Sequence, residues 1–247
     1  AVFHLGKPSS FFTRAWRGIT QWRTSWLSRE LIALPLFMLL LKSFQIDGQF
    51  SVAEYVTFFS DDFNLAVLWR TLRVALLTTL LALIVAYPTA IIMARAKGIW
   101  LSVFLVAMVL PMSVGVVVKA FAWSILFRTR GVLNDTLMTL GLTEAPIRML
   151  FTETALIIGA ANVFLPFMVL PIYAALERLD RSLLEAASDL YAPGSRVFLR
   201  VIWPLSLPGV VAGSMLVFIP SLGAFVTPAI LGGGKSLMVG NIISNQF

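Results

Sequence analysis

The segment Val74–Ala94 reads VALLTTLLALIVAYPTAIIMA and contains no charged residue. A helix needs roughly 20 apolar residues to cross a hydrocarbon core of about 30 Å. Three further uncharged runs of at least that length follow it, at residues 99–118, 154–176 and 201–234. A soluble domain rarely needs even one such run, so the sequence predicts an all-α fold, a bundle of transmembrane helices.

Composition and charge support a membrane protein. Of the 247 residues, 59% are hydrophobic and 13% are charged, whereas about a quarter of the residues of a soluble domain are charged. The net charge of +7 raises the possibility of nucleic-acid binding. The basic residues flank the apolar runs instead of gathering on one polar domain, as in chains inserted with their positive loops inside. We therefore expect contact with membrane lipid and no nucleic acid.

The organisation of the N-terminal part is less regular. Residues 1–30 are basic and aromatic, which favours a helix in the membrane interface over a disordered tail. Residues 31–41 are apolar but too short to span, so they form a partial span or the sequence lacks residues there. We expect a membrane domain over residues 31–247, with about five visible spans. The four stronger ones lie near residues 74–94, 99–127, 154–176 and 204–224.

The distribution of Lys and Arg predicts the orientation. With residues 1–30 in the cytoplasm, the segments 1–30, 95–98 and 177–203 hold 11 of the 19 basic residues. Lys119 falls within a span, and the rest lie on the other face. The excess is modest, but it predicts a cytoplasmic N-terminus and a cytoplasmic loop at 177–203.

The run after residue 201 is too long for one straight helix. Pro220 and Pro228 lack an amide hydrogen and clash with the preceding turn, so each is expected to break a helix. Non-helical backbone at membrane depth persists only where protein or a water-filled cavity surrounds it. We therefore expect a hairpin at about residues 221–234, at the mouth of a cavity.

The loop at residues 177–203 contains two short helical patterns. Ser182 followed by Glu185 has the spacing of a capping box, and Ala192-Pro193-Gly194 predicts a turn. A short apolar stripe with small side chains suits a groove in a soluble partner, although a solvated link between two spans is an equal alternative. The stripe consists of Leu179, Leu183, Ala186, Ala187 and Leu190.

Within this loop, Glu185-Ala186-Ala187, followed by Val201 and Pro204, resembles the loop of membrane subunits of binding-protein-dependent ABC importers. The resemblance implies a coupling helix that docks into a cytoplasmic ATPase. It assigns this role to a loop around Ser182, Leu183, Glu185, Ala186, Ala187, Asp189, Tyr191 and Gly194. Tyr191 stands where the family usually has glycine and Trp203 where it usually has leucine. Gly194 therefore predicts a turn shifted by three residues.

Further motifs over residues 65–247 resemble the spermidine/putrescine permease branch of this family. They include Ala120-Phe121-Ala122-Trp123, Gly131-Val132-Leu133-Asn134, Leu165-Pro166-Phe167 and Gly223-Ala224-Phe225-Val226-Thr227-Pro228. The resemblance implies a type I ABC importer permease of six spans in a bacterial inner membrane. It also implies a second permease, which we expect to be different from this chain, two ATPases and an extracytoplasmic binding protein. The solute would be a polyamine or a similar small molecule.

The chain itself is expected to need no cofactor, since ATP and Mg²⁺ would bind the partner ATPase. Gly232-Gly233-Gly234-Lys235-Ser236 resembles the end of a phosphate-binding loop, but Ala229 occupies the position of the first glycine. The chain has no cysteine and one histidine, so we expect no metal site. We also find no pairing of a nucleophile with a base in the sequence, so we expect no catalysis. A self-sufficient channel or carrier is the alternative, but it would usually need an acidic relay or an inverted repeat.

Six residues of the predicted spans are candidates for the solute path. Aromatic rings can offer cation–π contacts worth roughly 0.5–2 kcal/mol each, although packing is their commoner role. An intramembrane lysine is often functional but can also snorkel to the interface, and an intramembrane asparagine can line a cavity or bond another helix. The candidates are Tyr87, Lys119, Trp123, Asn162, Phe218 and Phe225.

Overall fold

A computed structural model describes residues 34–35, 37–38, 40–46, 49–189, 191–233 and 237–246. These residues form two compact units whose boundary lies between Asp61 and Asp62. The predicted interfacial helix at residues 1–30 lies outside the described residues, as do residues 31–33, 36 and 39 of the short apolar stretch, whose other residues are helical. The division at residue 30 therefore stays a prediction.

The first unit contains a small hairpin and one helix. Strand β1 (Gln45–Ile46) pairs antiparallel with β2 (Gln49–Phe50), and helix α1 (Ala53–Ser60) follows. The rings of Phe44 and Tyr55 stack with 5.1 Å between centroids, which joins the start of the hairpin to α1. The sequence between the first apolar stretch and the next thus carries local structure that its polar composition did not predict.

The regular secondary structure of the second unit is helical throughout its described residues. Three of its helical segments are long and apolar enough to cross a membrane, at Asp62–Arg95, Glu153–Glu177 and Gly194–Leu222. A fourth crossing is possible through a pair of helical segments bent by 101°. The elements are α2 (Asp62–Arg95), α3 (Ile99–Val109), the 3₁₀ turn Leu110–Ser113, α4 (Val116–Leu126), α5 (Val132–Thr139), α6 (Glu153–Glu177), α7 (Arg181–Asp189), α8 (Gly194–Val197), the π turn Phe198–Ile202, α9 (Trp203–Leu222), the π turn Pro228–Gly232 and α10 (Val239–Gln246).

Two predicted spans differ from the observed helices. Helix α2 begins at Asp62, twelve residues before the predicted span, and is 34 residues long. The extension was not predicted because Arg70 and Arg73 interrupt the uncharged run, although both residues lie within the helix. The predicted span at 99–127 is broken between α3 and α4, where Pro111 and Gly115 interrupt the helical run.

Helices α2, α6 and α9 form the core of the bundle. Small, fully buried side chains line one face of α2: Ala75, Ala82, Ala86 and Ala90. In a membrane the hydrophobic effect does not drive helices together, so close backbone approach and packing must do so. The small residues permit that approach, and they place α2 against both partner helices.

Helices α6 and α9 approach each other closely at two glycines. A Cβ atom on Gly209 would lie 2.6 Å from the carbonyl oxygen of Pro171 and 2.7 Å from the Cβ of Ala175. One turn further, a Cβ on Gly213 would lie 3.0 Å from the carbonyl oxygen of Met168. Glycine at these two positions therefore sets the distance between the helices.

The predicted hairpin is present but displaced toward the C-terminus. Pro220 does not end α9, which continues to Leu222, whereas Pro228 occupies the first turn of a new helical segment. The Nδ2 atom of Asn241 donates to the carbonyl oxygen of Phe225 over 3.0 Å, which closes the hairpin at residues 223–241. Leu231, at its centre, is fully buried beside Phe127 and Ala155.

We expect Gly209→Ala to loosen the bundle. The added methyl group has no space between α6 and α9, and overpacking of this kind costs about 1–3 kcal/mol. Thermal unfolding in detergent should show a Tm several degrees lower. Gly223→Ala is the matched control, since its added Cβ would meet no atom closer than 4.0 Å. Equal Tm values for the two variants would contradict this account of the α6–α9 contact.

Candidate functional site

The segment α7 follows α6 at the end of the bundle formed by the C-termini of α2 and α6. Its first turn is capped by Asp180, whose Oδ1 accepts a hydrogen bond from the backbone N–H of Ser182 over 2.9 Å. Bonds from Ser182 also lower the pKa of the Asp180 carboxyl, because they stabilise its charged form. The prediction that Ser182 caps this helix is therefore wrong: an aspartate two residues earlier does so.

The apolar stripe predicted for α7 divides between two faces, apart from Leu190, which lies outside the described residues. Leu184 and Ala187 are half-buried toward the bundle, and Leu179 just before the helix packs on the bundle's main hydrophobic cluster. Leu183, which is 45% exposed, and Ala186 point away. We call Leu183 and Ala186 the outer face of α7. An exposed apolar pair on a short helix is suited to contact with another protein.

Tyr191 forms the turn that the sequence assigned to Gly194. Tyr191 has a φ of +50°, in the left-handed region that glycine adopts most easily. Gly194 has no positive φ and begins α8 instead. The expected shift of the turn is therefore wrong, and the tyrosine itself adopts the left-handed conformation. Its side chain is 96% exposed.

A cavity of about 510 Å³ lies between α7 and the bundle. Glu185 lines it together with Arg95, Tyr173 and Glu177, and the rest of its lining is largely apolar. The guanidinium of Arg95 forms no ion pair within 4.0 Å with either carboxylate among the described contacts. Glu185 thus borders the joint between α7 and the bundle while it remains exposed, as Ala186 and Asp189 are.

The structure places Tyr87 in the core instead of on an open surface. Its hydroxyl lies 2.8 Å from the Oγ of Ser206, and its ring lies 5.2 Å from that of Trp203 and 5.8 Å from that of Phe198. Only 7% of the residue is exposed. In this conformation Tyr87 therefore packs the end of α2 against α9 and is inaccessible to a solute.

Three other path candidates lie together. The Nε1 of Trp123 donates to the Oδ1 of Asn162 over 3.1 Å, joining α4 to the middle of α6. Lys119 lies one turn before Trp123 on the same side of α4 and is half-exposed, and Asn162 is exposed. This is a polar group of atoms on the surface of an otherwise apolar bundle.

The last two candidates lie apart from that group. Phe218 is half-buried on α9. Phe225 is 49% exposed and lines a separate cavity of about 360 Å³ with Gly223, Val239 and other residues of the hairpin. Neither cavity lining includes Lys119, Trp123 or Asn162.

Several contacts that position these groups had no signal in the sequence. Arg73 pairs with Glu153 over 3.3 Å and joins α2 to the start of α6. Asn134 is fully buried and exchanges hydrogen bonds with the backbone of Ile147, which folds the link between α4 and α6. Such pairs join residues distant in sequence, so no local pattern could reveal them.

A bundle of long apolar helices with a short loop helix at one end is the architecture of an integral membrane protein. Residues 79–247 match the family described as binding-protein-dependent transport system inner membrane component. The chain belongs to that family, and it is a multi-pass protein of the inner membrane. As a transport permease it moves solute.

Relatives and a solved structure agree with this membership. The chain is 36% identical to the spermidine/putrescine transport system permease protein PotB of Haemophilus influenzae, over 90% of this chain and 80% of that protein. It is also 36% identical to PotB of Escherichia coli, over 87% of this chain and 81% of that protein. A chain from a bacterial ABC transporter involved in alginate import shares the fold, with a TM-score of 0.57, 18% identity and coverage of 90% of this chain and 76% of that chain.

The strain at Tyr191 can be measured with two substitutions. Tyr191→Gly removes both the ring and the left-handed strain, which costs roughly 1–2 kcal/mol in a residue with a side chain. Tyr191→Ala removes the ring and keeps the strain. We expect slower limited proteolysis between residues 181 and 194 in the glycine variant than in the alanine variant. Equal cleavage rates would show that the turn is not strained.

Proposed function

We propose that this chain is a permease subunit of an ATP-driven importer for polyamines such as spermidine and putrescine. The observation that carries the coupling role is the outer face of α7, an exposed apolar pair on a capped helix at one end of the bundle. The names of the relatives support the solute class, and the family description supports dependence on a binding protein.

The proposed assembly contains four kinds of subunit. This chain pairs with a second, non-identical permease, and an extracytoplasmic binding protein delivers solute to the pair. Two ATPase subunits bind ATP and Mg²⁺ and dock against the cytoplasmic loop at residues 177–203, which places the N-terminus in the cytoplasm as well. The excess of Lys and Arg on that side supports this orientation.

The contacts of α7 explain how movement would reach the spans. Leu179 before α7 and Phe198, Ile202 and Trp203 after it all pack on the main hydrophobic cluster of α2 and α6. Ligands shift a conformational equilibrium only through different affinities for its states. Here ATP, bound by the partner, would favour the state in which two such loops lie together. The linked packing would then turn the cavity outward, and hydrolysis would release it.

A self-sufficient carrier or channel is the weaker alternative. The acidic residues of the three long spanning segments that the structure describes are Asp62, Glu153 and Glu177, all at helix ends. An acidic relay through the membrane would need such groups at depth.

Reconstitution with the partner subunits separates these functions. The complex should take up labelled spermidine or putrescine into liposomes only with ATP and the binding protein present. Ionophores that collapse proton and sodium gradients should have no effect. Uptake without ATP, driven by an ion gradient, would contradict the importer and favour the carrier.

A charge on the outer face of α7 should abolish uptake. In Ala186→Asp a carboxylate would replace the methyl group at the proposed docking surface, and we expect uptake and coupled ATPase activity to fall at least tenfold. The amount of the subunit in the membrane should stay unchanged, because Ala186 is exposed and supports no buried contact.

The matched control is Ala145→Asp. Ala145 is also exposed and also follows a glutamate, but it lies in the link before α6, on the predicted opposite side. This variant should keep its ATPase activity. Normal uptake by Ala186→Asp would contradict the docking role of α7.

A further inference from the structure

Lys119 lies at membrane depth. The carbonyl oxygen of Phe127 accepts a hydrogen bond from the N–H of Leu150 over 3.2 Å, so the end of α4 lies beside the segment that leads into α6. Lys119 is eight residues earlier, about 12 Å along the helix. Trp123, which lies between Lys119 and Phe127 in the chain, donates a hydrogen bond to Asn162. Asn162 is nine residues after the start of α6, about 13 Å along that helix.

The surface around Lys119 is unsuited to lipid. Lys119 is half-exposed, Asn162 is exposed, and lipid tails can neither pair a charge nor satisfy an amide. The neighbouring helix break exposes Ser113, Val114 and Gly115 as well. Irregular backbone at this depth requires protein or a water-filled cavity beside it. We call Lys119, Trp123 and Asn162 the Lys119 face, and it must border protein or water.

The part of the chain that the structure describes offers Lys119 no counter-charge. No described carboxylate lies within 4.0 Å of its ammonium group, and Glu153 instead pairs with Arg73. The three long spanning segments hold acidic residues only at their ends, so a second copy of this chain would bring no carboxylate to this depth either. None of the described residues supplies the missing negative charge, so a different molecule is the source that we consider.

We propose that Lys119 pairs with a carboxylate of the second, non-identical permease across the solute path, and that the polyamine displaces it. This inference rests on the proposed function. A lysine side chain ends in a primary alkylammonium, the same group that ends a polyamine. A carboxylate that can pair with the Lys119 ammonium can therefore also pair with the ammonium group of a polyamine. The ion pair closes the path when no solute is present. An arriving polyamine then replaces the Lys119 ammonium with one of its own ammonium groups.

A carbodiimide tests the contact directly in the assembled complex. A membrane-permeant carbodiimide activates the carboxylate, and the deprotonated amine of Lys119 then forms an amide with it, while the reagent leaves as its urea. We expect a cross-link between this chain and the second permease, with Lys119 in the joined peptide by mass spectrometry. Saturating spermidine should reduce that cross-link several-fold.

Two variants control the experiment. Lys119→Met should lose the cross-link and, with the carboxylate unpaired, admit ethylammonium into liposomes without ATP. Lys119→Arg should also lose the cross-link, because guanidinium is a poor nucleophile, but its retained charge should keep the path closed to ethylammonium.

Absence of a cross-link from Lys119 in the wild-type complex would overturn the ion pair, as would a cross-link within this chain. A cross-link that spermidine leaves unchanged would overturn the displacement. Failure of the wild-type complex to transport polyamines with ATP would instead overturn the proposed function, and it would leave the cross-linking result to stand separately.

Discussion

The close approach of α6 and α9 at Gly209 and Gly213 is the constraint on which the rest of the bundle depends. Where lipid and side chains are equally apolar, helices associate through packing, and these glycines bring the two backbones together. The alanines of α2 complete the same contact from the other side. This core fixes where α6 ends and α9 begins, and therefore where the loop helix α7 is held.

The loop is joined to the core on both sides. Residues before α7 and after α8 pack on the main cluster, with Tyr87, Phe198 and Trp203 forming an aromatic group at the end of α2. The outer face of α7 remains open, while its inner face borders the cavity lined by Glu185 and Arg95. The outer face of α7 is thus available to a partner, and the opposite side of α7 contacts the spanning helices, so that a movement of α7 would move them.

Much of the fold followed from the sequence because apolar length and the membrane thickness leave few alternatives. The spans near residues 154–176 and 204–224 follow from apolar length, the hairpin after them from proline positions, and the loop at 177–203 from the distribution of charge. The early start of α2 did not, because Arg70 and Arg73 interrupt the apolar run there. The break at Pro111 lies within an uncharged run, and the left-handed turn at Tyr191 uses a residue that disfavours it, so neither had a clear sequence signal. In the site, the outer face of α7 could not be separated from its buried face by periodicity alone. The burial of Tyr87 depends on Ser206, which is 119 residues away.

The most direct test of the account is the contact of α7 with an ATPase. The chain has no cysteine, so Ala186→Cys places a single thiol on the outer face of α7. A short thiol-to-amine cross-linker should join this variant to a co-expressed ATPase subunit, and Ala145→Cys should give no such product. If Ala186→Cys remains unlinked to an ATPase that is present in the same membranes, α7 is not the coupling helix.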